Sequence, residues 1–480
     1  MRASFNVLHD PWIPIVDMKG ERRELGVLDT LRHAHELRAV SDASPMVEYS
    51  VYRFLIVLLM DALRPEELED LAGLFEEGRF DAEKLNEYVE TCEKEGVSFD
   101  LFDEENPFMQ TPIVPEWDRK TKPAAVLDYA VPSGNNHLHF DHQVEREAYS
   151  AAKSMRMMLA AQMFCTSAAQ SYPSNVNGAP PWFVLIDGDN LFETLVFNMV
   201  CTDQIRIAFD EPPVIWRNTG TVESKRKVAQ TSWLYGMIFP ARRIHLVPGE
   251  DGAVAEVYFS QGMNYVDPAN WQDPHVVYIV NDKGKFNWKP AGDFSVWQNL
   301  ASLINTRYQC APQTLANYRE LHTYGVVRLT MYAVATSQAS YLQSARIDLR
   351  LPLEVVGDEN AEEFITSYTQ TAKTLSKTVS SALKYKEIPE VVRRSAVREY
   401  YTFVEQTLFE LLNRLSVIRD GYSDLLREAE EQLLSELARC TQEKLSELTL
   451  RGRALVDTAE LRQKEINSAR KFIRRKWENG

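Results

Sequence analysis

The strongest periodicity in the chain lies toward its C-terminal end. From Ala361 to Leu383, the residues Phe364, Ile365, Tyr368, Ala372, Leu375, Val379 and Ala382 recur at helical spacing, which lines one face of an α-helix with apolar groups. Val397 to Ile418 repeats the pattern with Tyr401, Val404, Leu408, Leu411, Leu412 and Leu415, and Asp420-Gly421 stops it. Leu425 to Leu448 and Ala454 to Ile473 are two further amphipathic stretches. Four such helices with short connections predict an antiparallel four-helix bundle over residues 356–480.

Residues 1–355 are patterned differently and predict an irregular mixed domain with long loops. Phe5 to Val16 is an extended run broken by Pro11 and Pro14, expected at a sheet edge because proline donates no ladder hydrogen bond. Leu25 to Leu37 predicts a helix, and Ser44-Pro45 offers a cap and a first-turn proline for the next. Val47, Val51, Phe54, Leu55, Leu58 and Leu59 make that second helix apolar on most faces, so it should be buried. More acidic helices follow from Pro65 to about Glu95. Beyond Phe99, β-rich runs such as Trp182–Ile186 and His275–Val280 alternate with Pro, Gly and Asn punctuation. The fold class expected is therefore α+β, with an irregular mixed N-terminal domain and a helical bundle behind it.

At 480 residues, 45% hydrophobic and 25% charged, the chain is too long for one ordinary domain and rich enough for a real core. The five cysteines stand singly, without metal-ligand or redox spacing, which fits a reducing compartment. No apolar run is long enough to span a bilayer, so a cytoplasmic location without a membrane partner is expected. A net charge of −16 and a pI of about 5.2 argue against a chain that wraps nucleic acid by itself. They leave room for a local basic face and favour protein partners.

The sharpest enzyme-like string is His137-Leu138-His139-Phe140-Asp141-His142. It matches the H-x-H-x-D-H spacing with which imidazoles and a carboxylate hold a zinc pair in metallo-β-lactamase-fold hydrolases. That fold puts several strands ahead of the motif, whereas the residues upstream here read as helical, so a loop whose histidines cap, pack or touch a partner is the better reading. Asp187-Gly188-Asp189 reads as the turn between a strand and a helix starting near Leu191. Nucleotide-binding glycine motifs and the nucleophile elbow are absent. Basic residues cluster at Lys225-Arg226-Lys227, at Arg242-Arg243, along Lys373, Lys377, Lys384, Lys386, Arg393, Arg394 and Arg398, and at Arg470, Lys471, Arg474, Arg475 and Lys476. Any one of these reads as solvated surface; two in one bundle of an acidic chain suggest a phosphate-facing surface.

Separate segments then line up, in order, with one family. Phe5-Asn6-Val7-Leu8 with Pro11-Trp12-Ile13-Pro14, Asn106-Pro107-Phe108-Met109-Gln110 and Ser133-Gly134-Asn135-Asn136 with Phe140-Asp141-His142 resemble the large subunit of type I-E Cascade, the CasA or Cse family. Asn190 to Leu195, Pro240 to Ile244, Gln338-Ala339-Ser340 and Leu351-Pro352-Leu353 continue the resemblance. It implies a non-catalytic subunit, without metal or cofactor, at the crRNA 5′ handle of an RNA-guided complex. Its implied partners are the other Cascade subunits, the handle, target duplex DNA with its PAM, the displaced single strand and a separate helicase-nuclease. As in other such systems, base pairing reads the target and protein reads the adjoining motif.

Carried over residue by residue, the resemblance makes Gln338 a wedge beneath the PAM. It assigns the loop of Asn135, Asn136, Phe140 and His142 to the crRNA handle and neighbouring subunits. The PAM loop should fall between Cys165 and Asn177, where Ser167, Ala168 and Ala169 replace expected glycines and Asn175 and Asn177 close the segment. A minor-groove lysine expected near residues 262–264 is missing, leaving Asn264 to read acceptors there. Lys373, Lys377, Lys384, Arg393, Arg394, Arg470, Arg474 and Arg475 are assigned to guiding the displaced strand. The alternatives are a zinc hydrolase built on His137, His139, Asp141 and His142, or a scaffold that binds only proteins.

Overall fold

A computed structural model of the chain describes residues 3–131, 147–165, 172, 175–218, 222–267, 271–290, 292, 294–337 and 340–479. The chain divides into two compact units. One comprises Met1–Phe294, Ala311–His322 and Val327–Arg350, the other Ser295–Cys310, Thr323–Val326 and Leu351–Gly480.

The first unit opens with strands β1 (Ile13–Asp17) and β2 (Arg22–Leu25), helix α1 (Val27–Arg32) and strand β3 (Leu37–Val40). These strands form an antiparallel sheet in the order β2-β1-β3. β1 is thus the central strand and not the edge that its prolines suggest. The β1–β3 ladder starts at Ile15, beyond Pro14, so the missing N–H interrupts nothing there. The helix expected over 25–37 is cut to a six-residue α1, because Leu25 pairs in β2 and Leu37 opens β3.

Helix α2 (Pro45–Leu63) carries proline in its first turn and is buried from Met46 to Asp61, as its all-round apolar pattern predicts. Around it, Phe54 makes edge contacts with Trp12 at 5.6 Å and Trp216 at 5.5 Å, and Tyr49 stacks on Phe183 at 4.4 Å. Each such ring removed from water contributes about 1.5–3 kcal/mol. The acidic helices α3 (Leu68–Glu77) and α4 (Ala82–Lys94) follow.

The rest of this unit is a succession of short elements. In order they are β4 (Thr121–Pro123), α5 (Ala151–Met163), β5 (Phe183–Ile186), α6 (Leu191–Phe197), β6 (Lys227–Val228), α7 (Trp233–Met237) and β7 (Arg242–Pro248). Then come β8 (Val254–Gln261), β9 (Asn264–Tyr265), β10 (Tyr278–Asn281) and β11 (Gly284–Asn287). Helix α8 (Leu300–Ile304) belongs to the second unit, whereas α9 (Gln313–Leu321) and most of β12 (Val326–Ser337) and β13 (Ser340–Pro352) return to the first. The sheets run β4-β8-β7 and β13-β12-β5, with β10-β11 and β6-β9 as two-stranded pairs. Asn190 caps α6 by accepting the Glu193 N–H at 2.9 Å, so Asp187-Gly188-Asp189 is the strand-to-helix turn that its composition predicts.

The second unit is built on α10 (Glu359–Ala382), α11 (Glu390–Leu415), α12 (Tyr422–Ser446) and α13 (Arg453–Asn479). Cross-helix bonds fix an up-down-up-down order. Tyr368 reaches the Val404 carbonyl while Tyr401 reaches Ser376, Arg414 pairs with Glu428 while Lys444 pairs with Glu399, and Arg462 reaches back to Thr441. The α13 end is locked by Lys476 and Trp477, both bonded to the carboxylate of the fully buried Glu430 on α12.

Candidate nucleic-acid interface

The segment expected to read the PAM leaves the C-terminal end of α5 and returns at Asn175. Asn175 Nδ2 donates to the carbonyls of Gln162 at 2.9 Å and Met163 at 3.2 Å, satisfying acceptors that a helix end leaves open. Both ends of the segment are therefore closed on one helix terminus. Ser167, Ala168 and Ala169 lie outside the described residues. Tyr172 is described; Arg242 lies over its ring at 5.0 Å, and Lys122 donates to its hydroxyl at 2.9 Å.

Asn175 and Asn177 are not available as ligand-facing amides: both side chains are buried and bonded within the protein. Asn177 Nδ2 donates at 2.8 Å to Asp273 Oδ2, which also receives Arg53 Nη2 at 2.6 Å. Arg53 Nη1 donates to Asp273 Oδ1 at 2.8 Å and faces His275 Nδ1 at 3.0 Å. A guanidinium only donates, so His275 Nδ1 accepts and its Nε2–H donates to the Asn198 carbonyl at 2.9 Å. Burial, reinforced by the Arg53 charge, pulls the imidazole down to about 4. Burial alone would raise the Asp273 carboxyl, but the Arg53 charge and hydrogen bonds hold it below the usual range. This network ties the base of the segment to α2.

Asn264 is half-buried on β9, which pairs in parallel with β6 so that Lys227 stands opposite Asn264. Just ahead of β9, Gly262 packs on the backbone leading into β7, where an added Cβ would lie 2.2 Å from the Pro240 carbonyl oxygen. The neighbouring Arg242 and Arg243 look like a basic patch in sequence but are buried. Arg243 pairs with buried Asp118 at 2.6 Å, so these cations hold β7 in place and face no solvent.

Gln338 lies outside the described residues, between β12 and β13 in sequence. Those strands are anchored on the buried Glu48 of α2, which accepts the Tyr332 hydroxyl at 2.7 Å and pairs with Arg346 at 3.0 Å. Burial pushes the Glu48 carboxyl up, against the pull of those two partners.

In the bundle, the basic residues separate into two ends. Tyr385 bonds Asp457 near the start of α13, whereas Lys476 bonds Ser367 and Thr371 on α10. The thirteen residues from Thr371 to Lys384 put the two clusters on the order of 20 Å apart along the axis. Lys377, Lys384, Arg470, Arg474 and Arg475 are exposed. Lys373 departs from the expectation: it is half-buried, donates to the Gln298 carbonyl at 2.9 Å, and burial lowers its pKa. Arg394 pairs with Glu390. Beside it, Arg393 lines a cavity of about 240 Å³ with Ser380, Glu390, Arg394 and Val397, and its buried Nε has no hydrogen-bond partner among the described residues.

A family profile described as CRISPR-associated protein Cse1 matches residues 6–442, most of the chain. The chain belongs to the Cse1 family. A relative from Thermus thermophilus, CRISPR-associated protein CasA/Cse1, is 28% identical over 386 residues, covering 75% of this chain and 74% of that one. The fold is that of Cse1 from Acidimicrobium ferrooxidans, with a TM-score of 0.77 at 18% identity over 99% of each chain. A chain of a CRISPR RNA-guided surveillance complex superposes with a TM-score of 0.78 at 16% identity, over 97% of this chain and 99% of that one.

Within this Cse1 framework, Asn135, Asn136, His137, His139, Phe140, Asp141 and His142 lie outside the described residues. Among the described residues, no group of three His, Cys, Asp or Glu side chains is placed to hold a metal ion. Likewise no described helix is long and apolar enough to cross a membrane. What sequence reading missed is the Arg53–Asp273–Asn177 anchor, whose members are up to 220 residues apart. The one signal was an arginine amid the apolar face of α2, which demands a buried acceptor.

Proposed function

We propose that this chain is the large, non-catalytic subunit of an RNA-guided DNA surveillance complex, reading the PAM in duplex DNA and helping to open it. The observation that carries the reading is the Cse1 family match over residues 6–442, together with the fold shared along nearly the whole length with a surveillance-complex chain. In this reading the segment between Cys165 and Asn175 and the half-buried Asn264 approach the PAM. Gln338, next to strands fastened on Glu48, wedges the first target base pair apart. Unstacking costs a few kcal/mol, which a rigidly mounted side chain offsets only if its support does not yield. The exposed cations of the bundle, Lys377, Lys384, Arg470, Arg474 and Arg475, guide the displaced strand through phosphate contacts. The histidine-containing loop meets the crRNA 5′ handle, and the assembled complex recruits a helicase-nuclease.

The test is duplex opening by the reconstituted complex, followed through a fluorescent base at the first target position. Gln338→Ala should leave assembly intact and slow opening. Opening at the unsubstituted rate would remove the wedge from the account.

A further inference from the structure

Lys225, Arg226 and Lys227 are three consecutive exposed cations in a chain of net charge −16. Their backbone is firmly held. Lys225 adopts a left-handed φ of 63°, unusual for a residue with a Cβ, and its N–H donates to the Gly262 carbonyl at 2.9 Å. The Asn264 N–H donates to the Arg226 carbonyl at 2.8 Å, and Val266 N–H to the Val228 carbonyl at 3.0 Å. Gly262 is itself fixed, its N–H bonded to the Ala241 carbonyl at 3.1 Å.

The side chains are committed to nothing comparable. Among the described residues, Lys225 and Lys227 have no carboxylate within ion-pair reach, and Arg226 faces only Glu223 at 3.9 Å with both groups exposed. An exposed pair at that distance stabilises little. Arg242 and Arg243, one segment away, show the opposite arrangement, with buried side chains. Three like charges displayed side by side from a pinned backbone repel each other, and a polyanion relieves that repulsion. Flexible lysine stems with compact charges suit phosphate contacts that follow a backbone without reading bases.

We infer that Lys225, Arg226 and Lys227 form a phosphate-backbone contact for duplex DNA, beside Asn264 and independent of base sequence. The inference rests on the DNA-recognition reading above and adds a site to it.

The experiment measures duplex affinity of the assembled complex against salt, with the unsubstituted chain, with Lys225→Gln/Lys227→Gln, with Lys225→Arg/Lys227→Arg, and without the chain. Each phosphate contact contributes about 0.9 to the slope of log affinity on log salt. The glutamine variant should lower that slope by about 2 and weaken all flanking sequences alike, with unchanged thermal unfolding. The arginine variant should keep the slope. An unchanged slope in the glutamine variant overturns the inference. So does a folded glutamine variant that no longer joins the complex, which would assign the patch to an acidic protein surface. If omitting the whole chain leaves duplex binding unaltered, the DNA-recognition reading itself falls; if omission matters and the lysines do not, only this site falls.

Discussion

Asn177 donates its side-chain amide to Asp273 at 2.8 Å, on the same carboxylate oxygen that Arg53 holds at 2.6 Å. The amide expected to face DNA is thereby the last link of a buried ion pair that begins on α2. The bond fixes where the segment after α5 re-enters the core. Asn177→Ala leaves the carboxylate one donor short, which should cost about 1–3 kcal/mol. Denaturant unfolding checks this, and loosening of the segment should appear as weaker duplex binding by the complex.

His275 makes the same network sensitive to acid. The neutral imidazole is required in the folded state, where its pKa is about 4, against 6.5 for the unfolded chain. The unfolded state therefore binds the proton first as pH falls. Stability is full above pH 6.5 and declines between there and about 4, by roughly 3 kcal/mol if nothing relaxes. Asp273, also depressed, adds loss in the same direction. Thermal unfolding from pH 7.5 to 4.5 should show the decline, and His275→Gln should flatten the part between 6.5 and 4 while lowering stability at neutral pH.

Much of this architecture is legible in the residues, and the exceptions have physical causes. The apolar stripes of the bundle and the all-round apolar α2 appear directly, because burial on one face or on all faces leaves a periodic trace. Arg242 and Arg243 misled as a basic patch, because the acceptor that buries Arg243, Asp118, is 125 residues away. β6 and β9 are two residues each and leave no period to detect. Lys373 kept its helical spacing but turned inward to a carbonyl of the Ser295–Cys310 segment, which sequence order places outside the bundle. Of the site itself, helix α5 is not among the elements that the residue pattern predicts, and the inward direction of Asn175 and Asn177 could not be read because their partners Gln162, Met163 and Asp273 lie on other segments.

Gly262, between β8 and β9, is where the chain packs against the backbone leading into β7. Gly262→Ala places a methyl group 2.2 Å from the Pro240 carbonyl oxygen, and the neighbour is backbone with little freedom to give. Displacement of β9 should destabilise the first unit by about 1–3 kcal/mol and shift Asn264. A drop in melting temperature together with weaker duplex binding is expected; unchanged values for both would show that the strand pair tolerates the shift.

Glu430 anchors the end of α13 through Lys476, Trp477 and Thr371. Lys476→Met removes the cation from a buried carboxylate and should cost about 3–5 kcal/mol, with fraying of the last turn of α13. Hydrogen exchange over residues 470–479 reports it directly. Arg474 and Arg475 sit directly before that turn and Arg470 about two turns earlier, so displaced-strand protection in the complex should weaken as the fraying spreads toward them.

Selection from randomised flanks shows whether this chain reads the PAM. Duplexes with a matched target and a random flanking sequence are bound by the complex assembled with and without this chain, and the bound fraction is sequenced. One short flanking motif should be enriched, and only when the chain is present. Equal recovery of all flanks in both cases would contradict it and leave a chain that assembles the complex without reading DNA.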